Sequence, residues 1–187
     1  MYISDYLAIF IKKIMKKLLF IVMLFPFLIF SQKLEIVNGS YQMQQIYTYD
    51  SIGKNELFSL VNAWIATNYK SSNDVIQLSD KDAGKIIAKG NFSAYIGSSF
   101  VNPVVMHTLT VNVKDNKVRI TINNYRVTCS NCQNIEYPLE GYYGTYSNII
   151  NKKLDKAIPI AEDKSFYIIN SINLYIKSNK ASKNNDW

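Results

Sequence analysis

Histidine is nearly absent from this chain: His107 is the one example in 187 residues. Cysteine occurs twice, at Cys129 and Cys132, glycine seven times and proline four times. Two cysteines and one distant histidine fall short of the four ligands a structural zinc ion takes. A single histidine leaves little material for a histidine-based catalytic triad. The scarcity of glycine and proline excludes a collagen-like or linker-rich chain, and a 48% hydrophobic share excludes a disordered one. Long apolar runs are also missing. Leu18 to Phe30 is unbroken but too short to span a bilayer, which takes about 20 residues.

That run is preceded by Lys12, Lys13, Lys16 and Lys17 and followed by Ser31 and Gln32. A basic segment, an apolar segment and a small residue in that order read as a secretory signal peptide over residues 1–31, cut after Ser31. Pro26 suits such a segment better than a spanning helix. Met15 begins a tidier signal, which makes Met1 or Met15 the start. Ile29 is bulky for a cleavage site, so an uncleaved anchor is the alternative. No cysteine follows the run, which argues against a lipid-anchored protein. Loss of four Lys and one Asp with the leader lowers the net charge from +7 to +4. Much of the apparent basicity therefore belongs to export, and the remainder is no nucleic-acid footprint.

The mature chain reads as an irregular lead-in (32–40), one domain (41–178) and a polar tail (179–187). Tyr41 to Tyr49 alternates like a strand. Residues 54–69 bring Leu57, Leu60, Val61 and Trp64 to one helical face. Residues 74–95 form a hairpin around Asp80-Lys81-Asp82-Ala83-Gly84, where Gly84 can take positive φ. Val105, His107, Leu109, Val111 and Val113 share one strand phase, and Val118, Ile120 and Ile122 continue it after the Asp115-Asn116 turn. The phase breaks at Asn123-Asn124, which predicts a bulge. A short helix is expected over 151–157. A second helix is expected over 160–178, with Phe166, Ile169, Ile172 and Ile176 inward. The fold class is α+β: a curved antiparallel sheet of about five strands with two helices on one face, in the order β-α-β-β-β-β-α. Trp64 should lie between the first helix and the sheet, near Leu109, Val111 and Ile120. Thr108, Thr110, Asn112, Lys114, Arg119 and Thr121 belong to the other sheet face.

The segment KSSNDVIQLSDKDAGKIIAKG (Lys70 to Gly90), with the helix around Trp64, resembles a family of secreted bacterial domains of unknown function with a TATA-binding-protein-like (TBP-like) fold. The strand pair TLTVNVKDNKVRITINNYRV and the element Pro138-Leu139-Glu140-Gly141-Tyr142-Tyr143 resemble it too, so the likeness runs from Tyr41 to Lys177. It implies the fold and export. It brings no reaction, ligand or catalytic residue, and Cys129 and Cys132 stand outside its pattern. A fold shared with TATA-binding protein does not carry DNA binding with it.

Cys129-Ser130-Asn131-Cys132 follows a strand but precedes a loop, whereas a thioredoxin-like site opens a helix. In an exported chain the pair reads as a structural disulfide. His107 lies in a buried strand phase without a visible partner, and reads as a hydrogen-bonded core residue rather than a base. Asp80 and Asp82, with Glu56 or Asp74, could be imagined as acid/base carboxylates but read as turn formers. Gly84 to Gly90 lacks the spacing of a phosphate loop. Tyr137, Tyr142, Tyr143 and Tyr146 would stack on a sugar or peptide if exposed, or pin a loop if half-buried.

The resulting expectation is an exported, non-enzymatic binding or envelope-associated module, periplasmic or extracellular, without catalytic residues, cofactor or metal. Its partner would be an envelope protein, a peptide or a glycan, met through Tyr137, Tyr142, Tyr143, Tyr146, Thr108, Thr110 and Arg119. The alternative is a carboxylate hydrolase or a thiol redox protein using Cys129 and Cys132. Nucleic acid is not expected; that reading would need Lys85, Lys89, Lys114 and Arg119 on one face with exposed aromatics. The protein isolated from its host should begin near Gln32 and lie outside the cytoplasm. An intact cytoplasmic chain by mass spectrometry would overturn the leader assignment.

Overall fold

A computed structural model describes residues 33–69, 75–94, 103–128, 136–140 and 155–183. The chain divides into two units, Met1–Ser31 and Gln32–Trp187, and every described residue belongs to the second. The leader, the Cys129/Cys132 pair, Asp74, Tyr142, Tyr143, Tyr146 and most of the expected 151–157 helix lie outside the described residues.

The first described hairpin turns at Asn-Gly. Asn38 (φ 51°) and Gly39 (φ 79°) both take positive φ, the geometry of the tightest hairpins. They join β1 (Glu35–Val37) to β2 (Ser40–Thr48), with Val37 opposite Ser40. The lead-in expected to be irregular over 32–40 is thus largely a hairpin arm, because Asn-Gly is a strong hairpin signal even between short, exposed strands.

β2 ends at a corner built by a distant turn. Asp115 and Asn116 separate β5 (Val104–Lys114) from β6 (Lys117–Thr128), and Asn116 takes a left-handed φ of 60°. The Asn116 carbonyl accepts the Tyr49 amide at 2.8 Å, the Asn116 amide donates to the Ile52 carbonyl at 3.0 Å, and Asn116 Oδ1 accepts the Ile52 amide at 3.0 Å. Asp115 Oδ1 accepts the Lys54 amide at 2.7 Å. Helix α1 (Lys54–Asn68) starts there. Its own N-cap residue, Gly53, supplies no side-chain cap, so a carboxylate from another hairpin satisfies one of the orphan N–H groups and complements the helix dipole.

The corner also holds the next hairpin. β3 (Ile76–Asp80) and β4 (Lys85–Ser93) pair antiparallel. Asp80 Oδ1 accepts the Ala83 amide at 2.8 Å, and the Asp82 carbonyl accepts Lys54 Nζ at 2.6 Å. Gly84 (φ 64°) accepts the Val113 amide at 2.7 Å. A Cβ there would lie 2.3 Å from the Val113 carbonyl oxygen, so the turn admits no side chain.

The sheet has seven strands rather than about five, in the order β1-β2-β6-β5-β4-β3, with β7 (Tyr137–Pro138) on β6 beyond the end of β2. All pairs are antiparallel. The expected bulge is present. Met106 faces Arg126 and Thr108 faces Asn123, so β6 holds one extra residue there, and Asn124 takes φ 52°. α2 (Ala157–Lys183) packs on α1 and β2, while α1 packs on β5. The fold is the expected α+β arrangement of a curved antiparallel sheet with two helices.

The core lies between helices and sheet. Val105, Leu109, Val111, Val118, Ile120 and Ile122 are fully buried from the strands, and Leu57, Val61 and Ile65 from α1. Trp64 is 4% exposed and belongs to the same cluster. α2 departs from expectation in length and in face. It extends to Lys183, so much of the tail assigned to 179–187 is helical, and Lys180 Nζ bonds the Asp50 carbonyl. Pro159 sits in the first turn, where a missing N–H costs nothing. Phe166 is 43% exposed, whereas Ser165 is fully buried. Ala157, Ala161, Ser165 and Ile169 follow the every-fourth-residue row, which carries 165 rather than 166 onto the sheet. Two buried polar pairs set the rotation of this helix. Tyr125 Oη lies 2.7 Å from Ser165 Oγ, and Tyr49 Oη donates to Asn173 Oδ1 at 3.1 Å. Burial pushes both phenols well above their ordinary pKa.

Asp115→Ala should lower stability by roughly 0.5–2 kcal/mol, the usual worth of a helix cap. Asp115→Asn, which keeps the Oδ1 acceptor, should lose less in urea unfolding. Equal losses would mean that the cap is not what the aspartate contributes.

Candidate binding groove

Gly90 organises the site. It faces His107 across the β4–β5 ladder. A Cβ on Gly90 would lie 2.5 Å from Tyr69 Cε1 and 2.7 Å from His107 Nε2. The missing side chain lets the Tyr69 ring, at the C-cap of α1, lie against β4 and reach the imidazole. Tyr69 Oη is 3.4 Å from His107 Nε2. Trp64 meets Tyr69 edge-on, with centroids 5.9 Å apart at 76°. Phe92 and Tyr125 close around the imidazole at centroid distances of 5.4 and 6.5 Å.

His107 is 3% exposed, and burial lowers its pKa to about 4. Burial alone pushes Tyr69 up to about 12. Both groups are therefore neutral near pH 7. Nδ1 of His107 is buried and unpartnered among the described residues. A general base at neutral pH wants a pKa near 7 and access to the reacting proton; this imidazole has neither. The core role expected for His107 fits, with one long contact in place of a good hydrogen bond.

A cavity of about 610 Å³ opens beside this cluster. Trp64, Tyr69, Phe92, Tyr167 and Ile168 form its apolar walls, and Asn68, Asn91 and Ser93 its polar ones. Lys89 and Lys164 are its charged residues. A second hollow of about 480 Å³ shares Trp64, Asn68 and Tyr167, and continues past Asn170, Leu174 and Tyr175. Neither contains an aspartate or glutamate among its described lining residues. Tyr167 (69% exposed) and Leu174 (56%) stand open to solvent along this path.

Of the surface expected from the sequence, Thr108, Thr110, Arg119 and Tyr137 are among the described residues. Thr108 and Thr110 are half-buried and Arg119 is exposed on the sheet face opposite α1 and α2, helix-free among the described residues, in register with Asn123, Thr121 and Asn112 respectively. Tyr137 pairs with Val127 in β7 and packs against the core, so it pins the edge. Lys85, Lys89, Lys114 and Arg119 do share the helix-free face by register. No aromatic side chain joins them there among the described residues, and stacking is half of a single-strand binding surface. Asp80 and Asp82 are held in the β3–β4 turn by the bonds given above and line none of these hollows. Among the described residues no three His, Cys, Asp or Glu side chains gather as a metal cluster.

Tyr69, Gly90, Phe92, Lys164 and Tyr167 were not singled out from the sequence. Gly90 alone carried a signal there, since a glycine inside a strand marks a close backbone approach.

Residues 39–128 match the family described as "Domain of unknown function (DUF4468) with TBP-like fold". The match spans 90 of the 187 residues. Its bounds are narrower than the Tyr41–Lys177 likeness read from the sequence, and they take in α1, the β3–β4 hairpin, Gly90 and His107. Two solved structures share the fold. One is a TBP-like protein from Parabacteroides distasonis ATCC 8503, 16% identical, covering 76% of this chain and 96% of its own, with a TM-score of 0.59. The other is a DUF4468 family protein from Bacteroides ovatus ATCC 8483, 15% identical, covering 76% and 90%, with a TM-score of 0.62. No curated protein matches the chain in sequence.

The depressed His107 pKa makes a signed prediction. The unfolded chain takes up a proton near pH 6.5, but the folded one does so only near 4. Stability from this residue is therefore full above 6.5 and is lost as pH falls towards 4, by up to about 3 kcal/mol. Unfolding measured across that window should show a steeper pH slope for the wild type than for His107→Gln. Parallel slopes would mean that the imidazole is solvated.

Proposed function

We propose that the mature domain is a non-enzymatic binding module of the cell envelope, and that the groove between α1, α2 and β4 is its binding site. Export is supported by the leader pattern of residues 1–31. The observation that carries the binding reading is the make-up of the groove. Aromatic walls, scattered amides and hydroxyls, and two lysines surround a space of ligand size. The titratable side chain buried in its wall, His107, is held neutral by its surroundings. Such a lining can hold and orient a ligand, but it offers no nucleophile–base pair. Of the carboxylates weighed for a hydrolase, Asp80 is bonded within a turn elsewhere through its Oδ1, and Asp82 lies in the same turn.

The test separates binding from turnover. Mature wild-type protein and a Lys164→Glu/Tyr167→Ala variant, both sites exposed, are incubated with size-fractionated soluble envelope extract of the host. Whatever co-elutes is identified by mass spectrometry. The expected outcome is a compound retained by the wild type, lost from the variant and recovered with unchanged mass. Accumulating products of altered mass would favour an enzyme. Equal retention by the variant would place the site elsewhere.

A further inference from the structure

The larger cavity touches five consecutive residues of β4, Lys89 to Ser93. Successive strand residues point to opposite sheet faces, so a hollow lined by all five lies along the edge of the strand, not over one face. The register says which edge. β5 pairs with β4 along its full length, from Lys85↔Asn112 to Ser93↔Val104. β3 pairs only as far as Ile76↔Ala88. Beyond Ala88, no strand among the described residues covers the other side of β4. In an antiparallel pair alternate residues turn their N–H and C=O groups away from the partner. Among the described residues, alternate positions of Lys89–Ser93 therefore turn main-chain donors and acceptors to the cavity with no strand opposite them, a template for one more strand.

We propose that this edge binds an extended, acidic peptide segment of about five residues by strand addition. The inference rests on the binding reading above and names its ligand class. Main-chain pairing to Lys89–Ser93 supplies the affinity common to all such segments, and the cavity walls supply the selectivity. On the inward side an added strand meets Trp64, Tyr69 and Val75, which suit an apolar or aromatic side chain. Lys89 and Lys164 bracket the site with no carboxylate among the described lining residues, which selects acidic residues at the flanks. An edge lysine is also a common guard against pairing. Here the edge borders a walled hollow of about 610 Å³ with aromatic side chains, which a guarded edge has no need to build. A helical ligand fits less well, because asparagine and serine interrupt the apolar floor a helix would bury.

The full mature chain, labelled with nitrogen-15, is titrated with a pool of capped pentapeptides of the form Asp-Xaa-Phe-Xaa-Glu. Amide shifts and slowed hydrogen exchange at Lys89–Ser93 are expected, with at least tenfold weaker binding for Lys164→Glu and for peptides N-methylated at alternate residues. Arg119→Ala, on the other sheet face, should bind as the wild type does. Four results would each overturn the proposal: no response at Lys89–Ser93, undiminished binding of the N-methylated pool, a response to tri-galacturonic acid but not to peptide, or full exchange protection of these amides before any peptide is added. The last would mean that another segment of this chain already occupies the edge. Retention of a non-peptide compound in the envelope-extract experiment would leave the binding site standing while removing the peptide.

Discussion

The Asp115–Asn116 turn is the constraint on which the remaining geometry rests. Four hydrogen bonds tie it to Tyr49, Ile52 and Lys54, so the end of β2, the β5–β6 hairpin and the start of α1 become one rigid corner. α1 must then cross from β2, near one side of the sheet, to β3 at the other. A 15-residue helix spans about 22 Å, and a small rotation at its start would displace its far end. Tyr69 reaches Gly90 of β4, with Trp64 edge-on to its ring, because the start is held by a cap from outside the helix.

At that far end a second constraint takes over. Gly90 gives up a side chain so that Tyr69 and His107 can meet over the β4 backbone. The polar atoms of this cluster are poorly satisfied. The Tyr69–His107 contact is long, and Nδ1 has no partner among the described residues. An unpaired buried polar atom is destabilising by roughly 1–3 kcal/mol. Such local deficits are expected at functional sites more often than in ordinary cores, and this one lies in the wall of the largest hollow described above.

The two faces of the sheet divide the chemistry. The helix-free face carries Thr, Gln and Asn rows with Lys and Arg among them, and its aromatic content is nil over the described strands. The helix-covered face holds the aromatics and the cavity. Among the described residues neither helix covers the other sheet face, yet the concave aromatic hollow lies at the helix-side edge of β4. The fold therefore says less about where this hollow lies than the point at which the described pairing of β3 ends.

Much of the architecture was legible locally. Period-two alternation marked β5 and β6, and the broken phase at Asn123-Asn124 marked the bulge. Helical spacing marked the buried face of α1, and turn chemistry marked Gly84 and Asp115-Asn116, because each depends on residues within a few positions of one another. The Asn38-Gly39 hairpin was legible too, though its short exposed strands hid it. The candidate site was not. Gly90 hinted at a close approach, but which ring fills its space depends on how α1 crosses the sheet. Lys164 and Tyr167 join the groove only through the rotation of α2, set by Ser165 and Asn173 against Tyr125 and Tyr49. The sequence by itself determined elements, phases and turns, since these are short-range consequences of backbone sterics and apolar periodicity. Only the tertiary structure decided which stretch of β4 has no partner strand among the described residues, and the walls around it, because helix docking and strand register are settled by contacts between residues far apart in the chain.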